Sequence, residues 1–182
     1  MPKVKVGVMG ASGVELAAGE KTRLEALAER LGAAIAARDC ILVTGATTGL
    51  PDLVARAARK NGALTLGVSP AQDRDEHRRL GLPLDTADAI IYTGFGFKGR
   101  NVVNVRSSDV VLIFGGATGT LNEFTIAYDE GKIVGVVEGS GGVADHVKEI
   151  LSYCKRETHA RVFYGSDPEK LLDECLGEFK KG

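Results

Sequence analysis

The run Gly115-Gly116-Ala117-Thr118-Gly119-Thr120-Leu121-Asn122-Glu123 joins small residues, hydroxyls and a carboxylate directly after an apolar stretch. Small residues let backbone amides come close to an anion. A helix opening at this point would add unpaired N–H groups and a positive dipole end, which together make a seat for phosphate. Thr118 and Thr120 offer further donors. Glu123 has two readings. The spacing Thr120-x-x-Glu123 fits a capping box, with Thr120 as N-cap and Glu123 reaching back to its amide, and spacing alone leans that way. The alternative is a carboxylate held beside the phosphate loop, acting on a ribose or as a general acid/base.

Three further loops carry the same kind of residue. Gly45-Ala46-Thr47-Thr48-Gly49 would close over the other side of a ligand, or serve only as a tight turn. Gly10 to Gly13 follows the first apolar run, and Ser12 is a polar contact for a nucleotide. Gly94-Phe95-Gly96-Phe97-Lys98-Gly99 matches G-x-G-x-x-G formally. The acidic residue that a dinucleotide fingerprint places about 20 positions later is missing, since Asp109 precedes its strand. What the loop does offer is two cations, Lys98 and Arg100. Arg100 would clamp a phosphate or stabilise developing charge; the plain alternative is a solvated loop.

Other chemistries lack their residues. His77, His146 and His159 stand apart, without a metal-ligand spacing. No G-x-S-x-G elbow is present, and no Walker A lysine follows a glycine loop. Cys40, Cys154 and Cys175 are too scattered for a disulfide framework or a zinc knuckle, so reduced thiols in a cytoplasmic protein are expected. Cys40, at the start of a strand, reads as a core thiol. Neither a metal nor a resident cofactor is expected.

These loops need elements to hold them, and the pattern supplies a βαβ rhythm. Strands are expected at Lys5 to Met9, Ile41 to Thr44, Leu64 to Val68, Ala89 to Tyr92, Val110 to Phe114, Ile133 to Val137 and Val162 to Tyr164. Leu24, Leu27, Ala28, Leu31 and Ile35 keep a 3.6-residue period, which predicts a helix over Glu20 to Arg38. Further helices are expected at Pro51 to Lys60, Asn101 to Ser107, Leu121 to Glu130, Val143 to Tyr153 and Pro168 to Phe179. Pro70 to Asp88 reads as a surface excursion with at most one helical turn. Thr93 to Gly99 and Gly115 to Thr120 read as loops. Val110 to Ile113 is apolar at every position, which suits a central parallel strand covered on both faces. The expectation is an α/β fold: one Rossmann-like, doubly wound, mostly parallel sheet of about seven strands in a single domain over residues 1–182. Ligands of such sheets bind beyond the carboxyl ends of the strands, where the glycine groups fall.

Bulk properties agree. Of 182 residues 44% are apolar and 26% charged, within the ordinary range for a folded domain. The 24 glycines sit at the ends of apolar runs and form no low-complexity tract. With a formal net charge of −1 and no basic arm, nucleic acid is not an expected partner. The first apolar run is broken by Gly7, Gly10 and Gly13, which argues against a secretory signal. No apolar stretch is long enough to span a bilayer.

Taken together, Arg100-Asn101, Ser108-Asp109 and the Gly115–Glu123 run resemble the LONELY GUY (LOG) family, once mislabelled lysine decarboxylases. Its hallmark is P-G-G-x-G-T-x-x-E with an upstream Arg-Lys pair. Gly45 to Pro51 is similar to the family's G-G-G-x-x-G-L-M loop, and the likeness runs in order over roughly residues 4 to 140. The resemblance implies a Rossmann-like fold, a homodimer or homotetramer, and hydrolysis of the N-glycosidic bond of nucleoside 5′-monophosphates. In that chemistry Arg100 and Glu123 would be catalytic. Gly10, Ser12, Gly13, Gly45, Thr47, Thr48, Lys98 and residues Gly115, Gly116, Ala117, Thr118, Gly119 and Thr120 would hold the phosphate-bearing ligand. Gly115 stands in place of proline, Ala117 in place of a glycine and Asn101 in place of lysine. The pattern thus resembles a divergent branch that includes molybdenum cofactor carrier proteins, which hold a phosphate-bearing pterin without turning it over. A phosphoribohydrolase is the first expectation, and a carrier or sensor the second.

Overall fold

A computed structural model describes residues 2–12 and 18–181. Seven strands form one sheet: β1 (Lys5–Gly10), β2 (Ile41–Thr44), β3 (Thr65–Ser69), β4 (Ala89–Tyr92), β5 (Val110–Phe114), β6 (Ile133–Val137) and β7 (Arg161–Gly165). Their order is β4-β3-β2-β1-β5-β6-β7, and every pairing is parallel, so the sheet is parallel throughout. Among the described residues seven α-helices cover it: α1 (Ala18–Ala37), α2 (Leu50–Lys60), α3 (Arg74–Arg79), α4 (Gly96–Arg106), α5 (Thr118–Asp129), α6 (Val147–Cys154) and α7 (Pro168–Phe179). No helix among the described residues is long and apolar enough to cross a membrane.

β5 explains why the sheet is covered on both sides, because all five of its residues are buried. Side chains alternate along a strand. Val110, Leu112 and Phe114 therefore join Leu31, Ile35, Val54 and Leu172 of α1, α2 and α7. Val111 and Ile113 face the opposite way, onto Val105, Phe124, Ala127 and Val147 of α4, α5 and α6. Cys40 and Cys175 are buried in the first of these cores, and burial pushes the Cys175 thiol up to about 12.

The strand order also fixes where a ligand can sit. From β1 the chain steps outward through β2 and β3 to β4, then returns across β1 to place β5 on its other side. The connections leaving β1 and β5 diverge to opposite faces, and a crevice opens between their carboxyl ends. The glycine loops after β1, β2 and β5 meet there.

Three segments depart from the sequence expectation. The loop foreseen at Thr93 to Gly99 is half helix, because α4 begins at Gly96. The Gly94 and Gly96 amides donate to the Ala71 and Pro70 carbonyls, a tertiary anchor that local periodicity cannot register. The Pro70–Asp88 excursion contains a six-residue helix, capped by the Asp73 side chain. It is pinned by the fully buried His77, whose Nδ1 meets Ser69 Oγ at 2.8 Å and whose Nε2 meets the Pro83 carbonyl at 2.9 Å. The helix foreseen at Val143 to Tyr153 is split into a 3-10 turn, Gly142–His146, and α6.

One glycine shapes the entry to the crevice. Gly49, the N-cap of α2, has φ +93°, and an added Cβ would run into the Ala11 carbonyl oxygen. That carbonyl accepts from the Leu50 amide at 2.8 Å, joining the β1 and β2 loops. Gly49→Ala is expected to lower stability by at least ~1–2 kcal/mol, the usual cost of an L-residue in the left-handed region. Chemical denaturation checks this.

Candidate functional site

The crevice is a cleft of about 260 Å³ at the carboxyl edge of the sheet. Gly10 and Ser12 line it after β1, Gly45 and Thr47 after β2, Lys98 and Arg100 from α4, and Ala117, Thr118, Gly119, Thr120 and Glu123 from the start of α5. Residues 90 or more positions apart in sequence are thereby brought together. Thr48, Gly115 and Gly116 do not line the cleft. The Gly115 amide donates to Ser140 Oγ at 2.8 Å, and the carbonyls of Gly115 and Gly116 accept from Ala144 and Val143. These two glycines tie the β5 loop to the segment after β6. Gly13 lies outside the described residues. Val8, Met9, Ala11, Pro51, Phe97 and Asn101 also line the cleft, though the sequence pattern does not single them out as contacts.

The capping box is not formed. α5 begins at Thr118 with Ala117 as N-cap and no side-chain cap. Thr120 is therefore the third helical residue and Glu123 the sixth, beyond reach of the N-terminal amides. The helix start that spacing placed at Leu121 moved because the turn is set by tertiary ties to Ser140, Val143 and Ala144. α5 consequently presents a first turn with no side-chain acceptor and no acidic residue. α4 and α2 also lack side-chain caps, as does α6 away from the cleft, whereas α3 and α7 are capped by Asp73 and Asp167.

Lys98 makes this unusual start electrostatically pointed. Its Nζ lies 3.6 Å from where a Cβ on Gly119 would sit, beside the first turn of α5. It forms no ion pair among the described residues, while Arg30, Arg38, Arg56, Arg59 and Arg106 all meet carboxylates. A cation next to a helix N-terminus faces a like partial charge. The protein places two positive features together, and the carboxylate that feels Lys98 through space is the buried Glu123, already paired with Arg100.

Behind this surface lies a buried ion pair. Arg100 and Glu123 are each 6% exposed, and Nη1 meets Oε1 at 2.9 Å. Nη1 also donates to Asn101 Oδ1 at 2.9 Å. Asn104, one turn after Arg100, donates through Nδ2 to Glu123 Oε1 at 3.2 Å and to Met9 Sδ at 3.0 Å. Helical spacing from Arg100 would have pointed to Asn104. Gly45 is required by close approach, because any Cβ there would collide with the Arg100 guanidinium. Arg100 Nε and Asn104 Oδ1 are buried without a hydrogen-bond partner among the described residues. Burial pushes the Glu123 carboxyl above the ordinary range against the pull of Arg100 and Asn104, and burial lowers the Arg100 guanidinium. Among the described residues no three His, Cys, Asp or Glu side chains are grouped to hold a metal ion.

Comparison with known proteins supports this architecture. The model of the LDcluster4, SLOG cluster 4 family matches residues 3–172. An uncharacterized protein of Archaeoglobus fulgidus is 33% identical over 160 residues, covering 85% of this chain and 96% of that one. The structural genomics target TM1055 superposes with a TM-score of 0.82 at 25% identity, over 96% of this chain and 99% of its own. The molybdenum cofactor binding protein from Rippkaea orientalis gives a TM-score of 0.74 at 28% identity, over 99% of both chains.

Proposed function

Starting from a chain that belongs to the SLOG cluster 4 family, the divergent LOG-like branch the sequence had pointed to, we propose that it binds and holds a small phosphate-bearing heterocyclic ligand in the switch-point cleft. One observation carries this reading: the Lys98 ammonium, in no ion pair among the described residues, beside the uncapped first turn of α5. A phosphate between them satisfies both, as the helix amides donate and the lysine neutralises. A pterin of the molybdenum-cofactor type is the first candidate, because the Rippkaea orientalis protein binds that cofactor and is similar over its whole length. Holding, rather than turnover, suits the Arg100–Glu123 pair. Their charges meet each other in the interior, and Arg100 Nη1 is engaged on two sides.

A nucleoside 5′-monophosphate hydrolase is the second reading, favoured by one feature of Glu123. Both protein hydrogen bonds to its carboxylate fall on Oε1, and Oε2 receives none among the described residues. A cleft-lining carboxyl whose proton affinity is raised by burial suits a general acid at a departing base.

Incubation with a panel of nucleoside 5′-monophosphates, with ribose 5-phosphate release as the readout, separates the two. The holding reading expects saturable binding with no release above a Glu123→Gln control. Release by the wild type that falls by roughly 10²-fold or more in Glu123→Gln, with affinity retained, would replace it with the hydrolase.

A further inference from the structure

The first turn of α4 carries a second feature next to Lys98. Phe97 is the only aromatic residue among those lining the cleft, and it is 49% exposed. Its ring makes no contact with another aromatic ring among the described residues, in contrast to Phe124 with Tyr128 and His77 with Tyr92. A single exposed phenylalanine needs no explanation on an ordinary surface. Here the ring stands at a cleft lined by Ser12, Thr47, Thr118 and Thr120, with the aliphatic Val8, Met9 and Pro51 as its other large apolar side chains and no second π-face among the described residues that line it. Its sequence neighbour is Lys98, whose ammonium lies beside Gly119 in the first turn of α5.

From this juxtaposition we infer that Phe97 is a stacking platform for a planar heterocycle, the residue that makes the cleft select ring-bearing phosphate esters over bare sugar phosphates. The inference rests on the phosphate-holding reading and extends it. Lys98 and the start of α5 hold the phosphate, while Phe97, one residue earlier on the same turn, offers a π-face to the flat end of the same molecule. Stacking of this kind is tolerant of ring identity, since every base or pterin has a π-face. The cleft is therefore expected to rank ligands by the presence of a ring before it ranks them by which ring.

The test compares two probes on three proteins. Purine 5′-mononucleotides and ribose 5-phosphate are titrated calorimetrically into the wild type, Phe97→Leu and Phe97→Trp. Sedimentation is recorded alongside. Phe97→Leu should weaken mononucleotide binding roughly 5- to 100-fold, the scale of one base–aromatic stack, and leave ribose 5-phosphate within about twofold. Phe97→Trp should restore discrimination. Equal losses for both probes, or no loss for the mononucleotides, would overturn the stacking role while leaving the phosphate seat in place. A change in sedimentation with ring discrimination unaltered would overturn it as well, assigning Phe97 to self-association. If neither probe binds the wild type, the phosphate-holding reading fails first, and the stacking role fails with it.

Discussion

Arg100→Ala is expected to lower folding stability by about 3–5 kcal/mol, because it leaves Glu123 as a buried carboxylate without its cation. Asn104 would remain as a single neutral donor to Oε1. The loss should depend on pH in a definite sense. The folded-state affinity of Glu123 for a proton is already above the ordinary value, with burial the first cause and Arg100 the main opposing one. Removing Arg100 raises it further. A carboxyl with a raised folded pKa penalises the folded state above that pKa, and the penalty is relieved as pH falls through it toward the ordinary value. The gap between wild type and Arg100→Ala should therefore narrow as pH is lowered from neutrality toward the ordinary carboxylate range. Replacing both partners, Arg100→Met with Glu123→Leu, should recover much of the stability, since apolar replacement of a buried pair is often neutral or better. Urea denaturation across this pH range measures all three proteins. A small, pH-independent loss in Arg100→Ala would mean that water reaches Glu123 and that the pair is not buried.

Lys98→Glu should have its largest effect on binding and almost none on folding. Lys98 lies in the first turn of α4, exposed and in no ion pair among the described residues, with only a through-space pull on Glu123. A glutamate there would place a negative charge at a helix N-terminus, a change worth about 0.3–1 kcal/mol in favour of the fold. For a phosphate ligand the same change removes a charge-assisted hydrogen bond, about 1.5–3 kcal/mol, and adds repulsion. Affinity should fall by roughly 100-fold or more while the melting temperature of the free protein holds or rises. That opposition of signs separates a ligand-binding lysine from one that merely solvates a loop, which would leave affinity unchanged.

The sheet was legible in the sequence because its determinants are local. β2, β4, β5 and β6 fall at the bounds expected from β-branched and apolar runs, and the all-apolar β5 is buried on both faces. What the sequence hid depends on distant partners. The capping-box pattern at Thr120 and Glu123 is a real local signal, but the β5 loop is fixed by Ser140, Val143 and Ala144, so α5 starts at Thr118. Gly115 and Gly116 look like the heart of a phosphate loop and are instead tied to the segment after β6. Arg100 and Glu123 each stand out in the sequence as functional candidates, yet nothing in their 23-residue separation reveals that they face each other. The return of the chain across β1 brings α4 and α5 side by side, and only then do the two charges meet. Asn104 is not legible in the sequence although it lies on the same face of α4 as Arg100, because a lone asparagine in a helix carries no signal without its partner.

The central claim is that the cleft holds its ligand by the phosphate. The most direct measurement compares the affinity of a phosphate ester with that of the same molecule lacking phosphate, using 5′-mononucleotides against their nucleosides and a monophosphorylated pterin against the free pterin. With the Lys98 ammonium and the first-turn amides of α5 both aimed at the phosphate, each ester should bind at least about 100-fold more tightly than its dephosphorylated partner, the scale of two charge-assisted hydrogen bonds. The preference should weaken as salt is raised, since Lys98 is exposed. Equal affinities for esters and their dephosphorylated partners, or no saturable binding of any ester, would contradict the account.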